Sequence, residues 1–142
     1  MSQDPDTFDL QRFADAQNGI YDRVIAELRA GRKTSHWMWF VFPQIAGLGR
    51  SPTAQRYAIA SLGEAQAYVA HPVLGERLRE CARALADLQG RSAEQVFGGL
   101  DALKLRSSMT LFARAAPDEP LFRAVLARYF GGEEDPATLD RL

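Results

Sequence analysis

Apolar residues along this chain recur mostly at helical spacing. Leu10, Phe13, Ala14, Tyr21, Val24, Ile25 and Leu28 fall three or four positions apart, with Gln17 as a polar member of the same stripe. That is the pattern of helix faces turned toward a core. Asn18-Gly19 is a stop signal inside the stripe, so the region reads as one helix or as two segments, with Tyr21 to Ala30 the firmer and Gly31 ending it. Further on, Ser51-Pro52 reads as an N-cap and first helical residue, and Ser61 with Glu64 has capping-box spacing for a short helix ending near Ala70. His71 before Pro72 suits a cap. Leu74, Leu78, Cys81, Ala82, Leu85 and Leu88 then mark a long amphipathic helix that Gly90 stops.

Ser92 with Gln95 repeats the capping box, Gly98-Gly99 interrupts, and Asp101 is placed to cap a helix carrying Leu105, Met109, Leu111 and Phe112, closed by Pro117. Asp118 and Pro120 open a last firm helix with Leu121, Phe122, Val125, Leu126 and Tyr129, stopped by Gly131-Gly132. From Glu133 a short helical turn or a frayed end is expected. Trp37 to Phe42 is ambiguous: Ser35 would cap a short helix there, yet Trp-Met-Trp-Phe-Val-Phe has the composition of a strand. Phe42-Pro43 closes the segment in either case. Strands and helices do not alternate, so the pattern predicts an all-α, multihelical single domain of mixed short and long helices over 8–132, with terminal tails at 1–7 and 133–142.

Composition narrows the class further. A chain of 142 residues, 46% hydrophobic and 25% charged, can bury a core without disulfides or metals. Seventeen Lys plus Arg against eighteen Asp plus Glu give a net charge of -1, which supplies no electrostatic track for nucleic acid. The polar, acidic stretch Met1 to Asp9 lacks the features of a secretory signal, and no apolar run approaches the roughly 20 residues of a membrane-spanning helix. A cytoplasmic protein without membrane association is the expectation. Cys81 cannot form an internal disulfide and falls on an apolar stripe, which favours packing over a reactive thiol. Two histidines and one cysteine make no zinc constellation, so neither metal nor cofactor is expected.

Candidate chemistry concentrates between Lys33 and Gln44, which hold both tryptophans and His36. Trp37 or Trp39 could stack a ring, Lys33 or Arg50 could meet a phosphate, and His36 has an ordinary pKa near neutrality. Packing of Trp37, Trp39, Phe40 and Phe42 in the core is the competing reading. The loop Gly47-Leu-Gly49-Arg50 runs into a helix start at Ser51, where free N–H groups could receive an anion or merely form a turn and cap. Asp101 and Lys104 share a helix face, either as a cap with a surface ion pair or as a general base with an electrostatic partner. Ser107 and Ser108 follow without the Gly-x-Ser-x-Gly elbow of a nucleophile.

The run Ser-His-Trp-Met-Trp-Phe-Val-Phe-Pro-Gln, Ser35 to Gln44, resembles the signature of the DUF1810 family, a bacterial and fungal domain of unknown function. The similarity continues through Gly47-Leu-Gly49, Ser51, Tyr57-Ala-Ile59, His71-Pro-Val-Leu-Gly75, Phe97-Gly98, Asp101, Lys104-Leu105 and Ser107 to Phe112, and near the start through Arg12-Phe13, Ala16-Gln17 and Tyr21. The resemblance implies a small, mostly helical domain and favours a helical turn for Trp37 to Phe42. It implies no activity or catalytic residue. The label calpastatin, attached to some members, sits poorly with a compact domain.

The shared motifs nevertheless include polar positions that a core does not need: Lys33, Ser35, His36, Gln44, Ser51, Asp101, Lys104, Ser107 and Ser108. They suggest a ligand pocket between the Trp segment and the Asp101 to Ser108 helix, to which Trp37, Trp39, Gly49, Arg50 and Tyr57 would contribute. Two functions compete. One is binding of a nucleotide-like or phosphorylated metabolite, with metal-free hydrolysis by Asp101, His36 and Lys104 as its enzymatic version. The other is a protein-interaction module that uses the aromatic segment.

Overall fold

The computed structural model of the protein describes residues 7–142, so the expected N-terminal tail lies outside the described residues except for Thr7. Ten helices follow in order among them: α1 (Gln11–Gln17), α2 (Tyr21–Ala30), α3 (Met38–Val41), α4 (Pro52–Arg56), α5 (Leu62–Ala70), α6 (Leu74–Asp87), α7 (Ala93–Phe97), α8 (Gly99–Ala115), α9 (Pro120–Phe130) and α10 (Pro136–Leu139). The described residues contain no strand, and the domain is all-α. An isolated parallel bridge joins Ile45 to Ile59. No described helix is long and apolar enough to cross a membrane.

Local signals set most boundaries. Ser51, Ser61 and Ser92 each accept a hydrogen bond from the backbone three residues on, and Ser92 with Gln95 closes a full capping box. His71 Nδ1 accepts from the amides of Val73 and Leu74, both at 3.1 Å, and starts α6. Asn18 is extended and splits the first stripe into two helices.

Two expected caps differ. Ser35 does not cap α3, which begins after Trp37 without a side-chain cap, because the Ser35 hydroxyl is taken by Glu27. Asp101 lies inside the first turn of α8, which starts from Gly98 at φ 80°. α9 opens at Pro120, with Glu119 as its cap.

The core is organised around α8, whose residues from Ala102 to Ala115 are buried on almost every side. It packs against α5, α7, α9 and α10, while α6 packs against α2, α5 and α9. Phe112 is the junction, with ring centroids 5.2 Å from Tyr68 and 5.9 Å from Phe122. The α5–α6 corner is tight: a Cβ on Gly75 would lie 2.0 Å from the Val69 carbonyl oxygen, so only glycine fits. Cys81 is buried in α6, and burial pushes its thiol up to about 12, the state of a packing residue. Residues 133–142 carry α10, which lies on α8 with Thr138 fully buried.

Candidate functional site

The Lys33 to Phe42 segment is held from below by a residue that is not among the candidates named above. Glu27, buried in the last turn of α2, accepts five hydrogen bonds. They come from the amides of Thr34 and Ser35 at 2.8 and 3.2 Å, the hydroxyls of Thr34 and Ser35 at 3.0 and 2.6 Å, and the Trp37 indole at 3.0 Å. Burial alone would raise its pKa, but these donors reverse that and bring it down to about 2. A carboxylate at a helix C-terminus opposes the helix dipole, so its presence beside Thr-Ser-x-Trp was a readable anomaly. Trp37 and Ser35 are therefore anchors of the motif. Trp37 is 1% exposed and packs among Phe42 and Phe97.

Above this anchor runs an alternation of aromatic rings and charges. Lys33 Nζ stands 5.2 Å from the Trp37 ring centroid and 2.8 Å from Asp101 Oδ2. Asp101 Oδ1 lies 3.5 Å from Lys104 Nζ, which in turn stands 5.1 Å from the centroid of the Trp39 ring. The Lys33 ammonium is held with its side chain 7% exposed, whereas Asp101 and Lys104 are each 21% exposed. With two lysines and one aspartate, the cluster carries a net positive charge directed at the Trp39 side.

Lys104 and Trp39 border a cleft together with Gln44, Gly49 and Tyr57, over a floor that includes Met38 and Phe42. These residues come from α3, the following loop, α4 with its end, and α8. Tyr57 is steadied by Phe13 and Phe40, at 5.9 and 5.3 Å between centroids. Arg12, from α1, fixes the same segment by donating to the carbonyls of Arg56 and Ala58, at 2.9 and 2.8 Å, and to Glu64 at 2.9 Å. Gly49 packs against α4 so closely that a Cβ there would lie 2.5 Å from Ala54 Cβ. The cleft is small: the space within it open to a water-sized molecule is about 10 Å³, room for one water.

The remaining candidates lie elsewhere. His36 and Arg50 are exposed, and neither lines the cleft. Ser51 is exposed and caps α4 through a bond from the Ala54 amide. Ser107 faces α10, donating to Asp135 Oδ2 at 2.8 Å. Ser108 is fully buried, one turn beyond Lys104 on α8, with its hydroxyl unpaired. Asp101 supports Lys104 from behind. Trp39, Gln44, Gly49, Tyr57 and Lys104 are thus brought together, with Lys33 and Asp101 immediately behind them. No group of His, Cys, Asp and Glu among the described residues could hold a metal ion.

Comparison with known proteins agrees with this architecture. Residues 7–142 match the family model described as "Protein of unknown function (DUF1810)". A solved structure, the conserved hypothetical protein Rv1873 from Mycobacterium tuberculosis, is 58% identical and superposes with a TM-score of 0.94, over 95% of this chain and 96% of that one. No curated protein matches the chain.

Proposed function

The chain belongs to the DUF1810 family, whose description assigns no activity, and from that premise we propose that it binds a small anionic metabolite of nucleotide-like or phosphorylated type at the Trp39–Lys104 cleft. The observation that carries this reading is the arrival of Trp39, Gln44, Gly49, Tyr57 and Lys104 from separate segments at one cleft, with a cation over a half-buried indole face. A planar ring would replace the Lys104 ammonium on Trp39, and Lys104 would turn to the ligand's anionic group. Gln44 offers both a donor and an acceptor to the ring edge. The exchange keeps the lysine's electrostatic partner in place, because Asp101 is also held by Lys33.

A thermal-shift series against AMP, ADP-ribose, NAD and sugar phosphates tests this. A ligand at a hundred times its Kd stabilises the native state by about 2.7 kcal/mol, so a saturable upward shift is expected. It should vanish in Lys104→Ala and Trp39→Ala. No shift with any compound at millimolar concentration would sink the reading.

In the enzymatic version Asp101 acts as base with Lys104 as its electrostatic partner, and His36, exposed and away from the cleft, takes no part. That version requires Asp101 to exchange a lysine for a water, and retained turnover in a folded Asp101→Asn protein would eliminate it. The protein-docking alternative has less to support it. Trp37, Met38, Val41 and Phe42 are all buried and Trp39 and Phe40 are half-buried, so that the strongly exposed apolar side chains are Leu100 and Leu103 of α8, 71% and 61% exposed, outside the aromatic segment.

A further inference from the structure

The loop between Gln44 and Arg50 forms one side of the cleft, bonded to the body on one flank and covered on the other. On one side the Ala46 amide donates to the Ile59 carbonyl and the Ile59 amide to the Gln44 carbonyl, both at 2.8 Å. On the other, Gly47, at φ +100°, lies under the side chain of Arg141: a Cβ there would sit 2.9 Å from Arg141 Nε. Arg141 belongs to the last ten residues, so the C-terminal segment reaches from α8 to the loop that borders the cleft.

That segment is fastened to the body largely by polar groups. Arg106 donates to the carbonyls of Glu133 and Glu134 at 3.1 and 2.7 Å. The Glu134 carboxylate takes two bonds from Arg114 at 2.7 and 2.8 Å and one from Arg123 at 3.4 Å. Asp135 is the central fastening. Its carboxylate accepts from Ser107 and from the Thr138 hydroxyl, at 2.8 and 2.6 Å, while its amide donates to Thr110 Oγ1 at 2.9 Å. Ser107 and Thr110, buried polar residues of α8, thus serve this attachment.

Glu134 is paired with half-exposed arginines and α10 has only four residues, so this segment opens at lower cost than the core helices, the cost lying mainly in the buried Ser107, Thr110 and Thr138 hydroxyls. The cleft, meanwhile, has room for one water while its loop is held. We propose that residues 133–142 are a strap that clamps the Gln44–Arg50 loop over the cleft through Arg141 and Gly47, and that release of the strap admits the ligand. This rests on the cleft being the binding site. Asp135 and Arg141 are its positioning residues: the first holds the strap on α8, the second transmits that hold to the loop.

Hydrogen exchange on the full-length protein without ligand tests the strap, read at the Ala46 and Ile59 amides. Asp135→Ala should speed exchange across 133–142 and, with it, at Ala46 and Ile59 by tenfold or more, leaving the central α8 amides at the wild-type rate. Arg141→Ala, a change at an exposed side chain, should speed Ala46 and Ile59 alone. Wild-type exchange at both amides in Arg141→Ala would overturn the proposal, whatever Asp135→Ala does to overall stability. A strap that loosens in Asp135→Ala while the two amides keep their rate would overturn it equally. In a second arm, AMP should associate faster with both variants than with wild type, and an unchanged association rate would show that the loop does not gate entry. Because exchange is read without ligand, failure of AMP to bind would strike the binding reading, and unchanged exchange would strike the strap.

Discussion

Two carboxylates lie on either side of the Lys33–Trp37 segment, and they are held in opposite ways. Glu27 is buried and surrounded by five neutral donors fixed by backbone or short side chains. Asp101 is partly exposed and held by two lysine ammoniums on long stems. Fixed dipoles stabilise a charge without having to be ordered for the purpose, but they cannot be exchanged for a ligand. Lysines can move from a carboxylate to an incoming anion at small cost, because a partly exposed ion pair is worth little in water. The first arrangement builds the site and the second can operate it.

The largest effect that would break this comparison comes from removing the buried carboxylate. Glu27→Ala leaves the Trp37 indole and several amides and hydroxyls of the segment without an acceptor, and should cost about 3 to 4 kcal/mol by urea denaturation. A loss below about 1 kcal/mol would mean that the cage is ornamental.

Next comes its pH signature. A carboxylate near 2 when folded and 4.5 when free contributes stability that is fully present above pH 4.5 and lost as pH falls toward 2. The amount is about 3 kcal/mol. Denaturation midpoints measured across that window should fall steeply in wild type and much less in Glu27→Gln, which keeps one acceptor oxygen without the titration.

Asp101→Asn should be milder, about 1 to 2 kcal/mol, since Lys104 retains water and both lysines keep an aromatic face, while Lys33, 7% exposed, loses its close charged partner. A loss as large as that of Glu27→Ala would erase the distinction. Lys104→Met should change stability by no more than about 0.5 kcal/mol while abolishing the ligand-induced thermal shift.

The smallest effect is spectroscopic. In Trp39→Phe the remaining Trp37, 1% exposed, should emit as a buried indole and resist acrylamide quenching, whereas Trp37→Phe should leave a quenchable Trp39. Equal quenching of the two single-tryptophan proteins would contradict the assignment of one ring to the core and the other to the cleft.

Much of the helical order was legible because it is encoded locally. The serine caps at 51, 61 and 92, the Asn18-Gly19 break and the 3/4 stripe of α6 act over a few residues, and the chain folds as they indicate. The same local logic misassigned Ser35 and Asp101 as caps. In the first case a distant acceptor, Glu27, competes for the hydroxyl, and in the second Gly98 begins the helix a turn earlier. Trp37 and Trp39 show where periodicity runs out: two residues apart in the same motif, one is sealed under Lys33 and the other borders the cleft.

By itself, then, the sequence determined a compact helical domain, most of its breaks and the segments rich in unusual side chains, because capping, periodicity and backbone freedom are properties of neighbours in the chain. Only the tertiary structure decided that Glu27 holds the aromatic segment, that Asp101 stands between Lys33 and Lys104, and that Arg141 reaches Gly47. Apart from Asp101 and Lys104, which are three residues apart on one helix face, those partners are separated by ten to ninety-four residues, and a hydrogen bond or ion pair depends on distances of a few ångströms that no such spacing along the chain specifies.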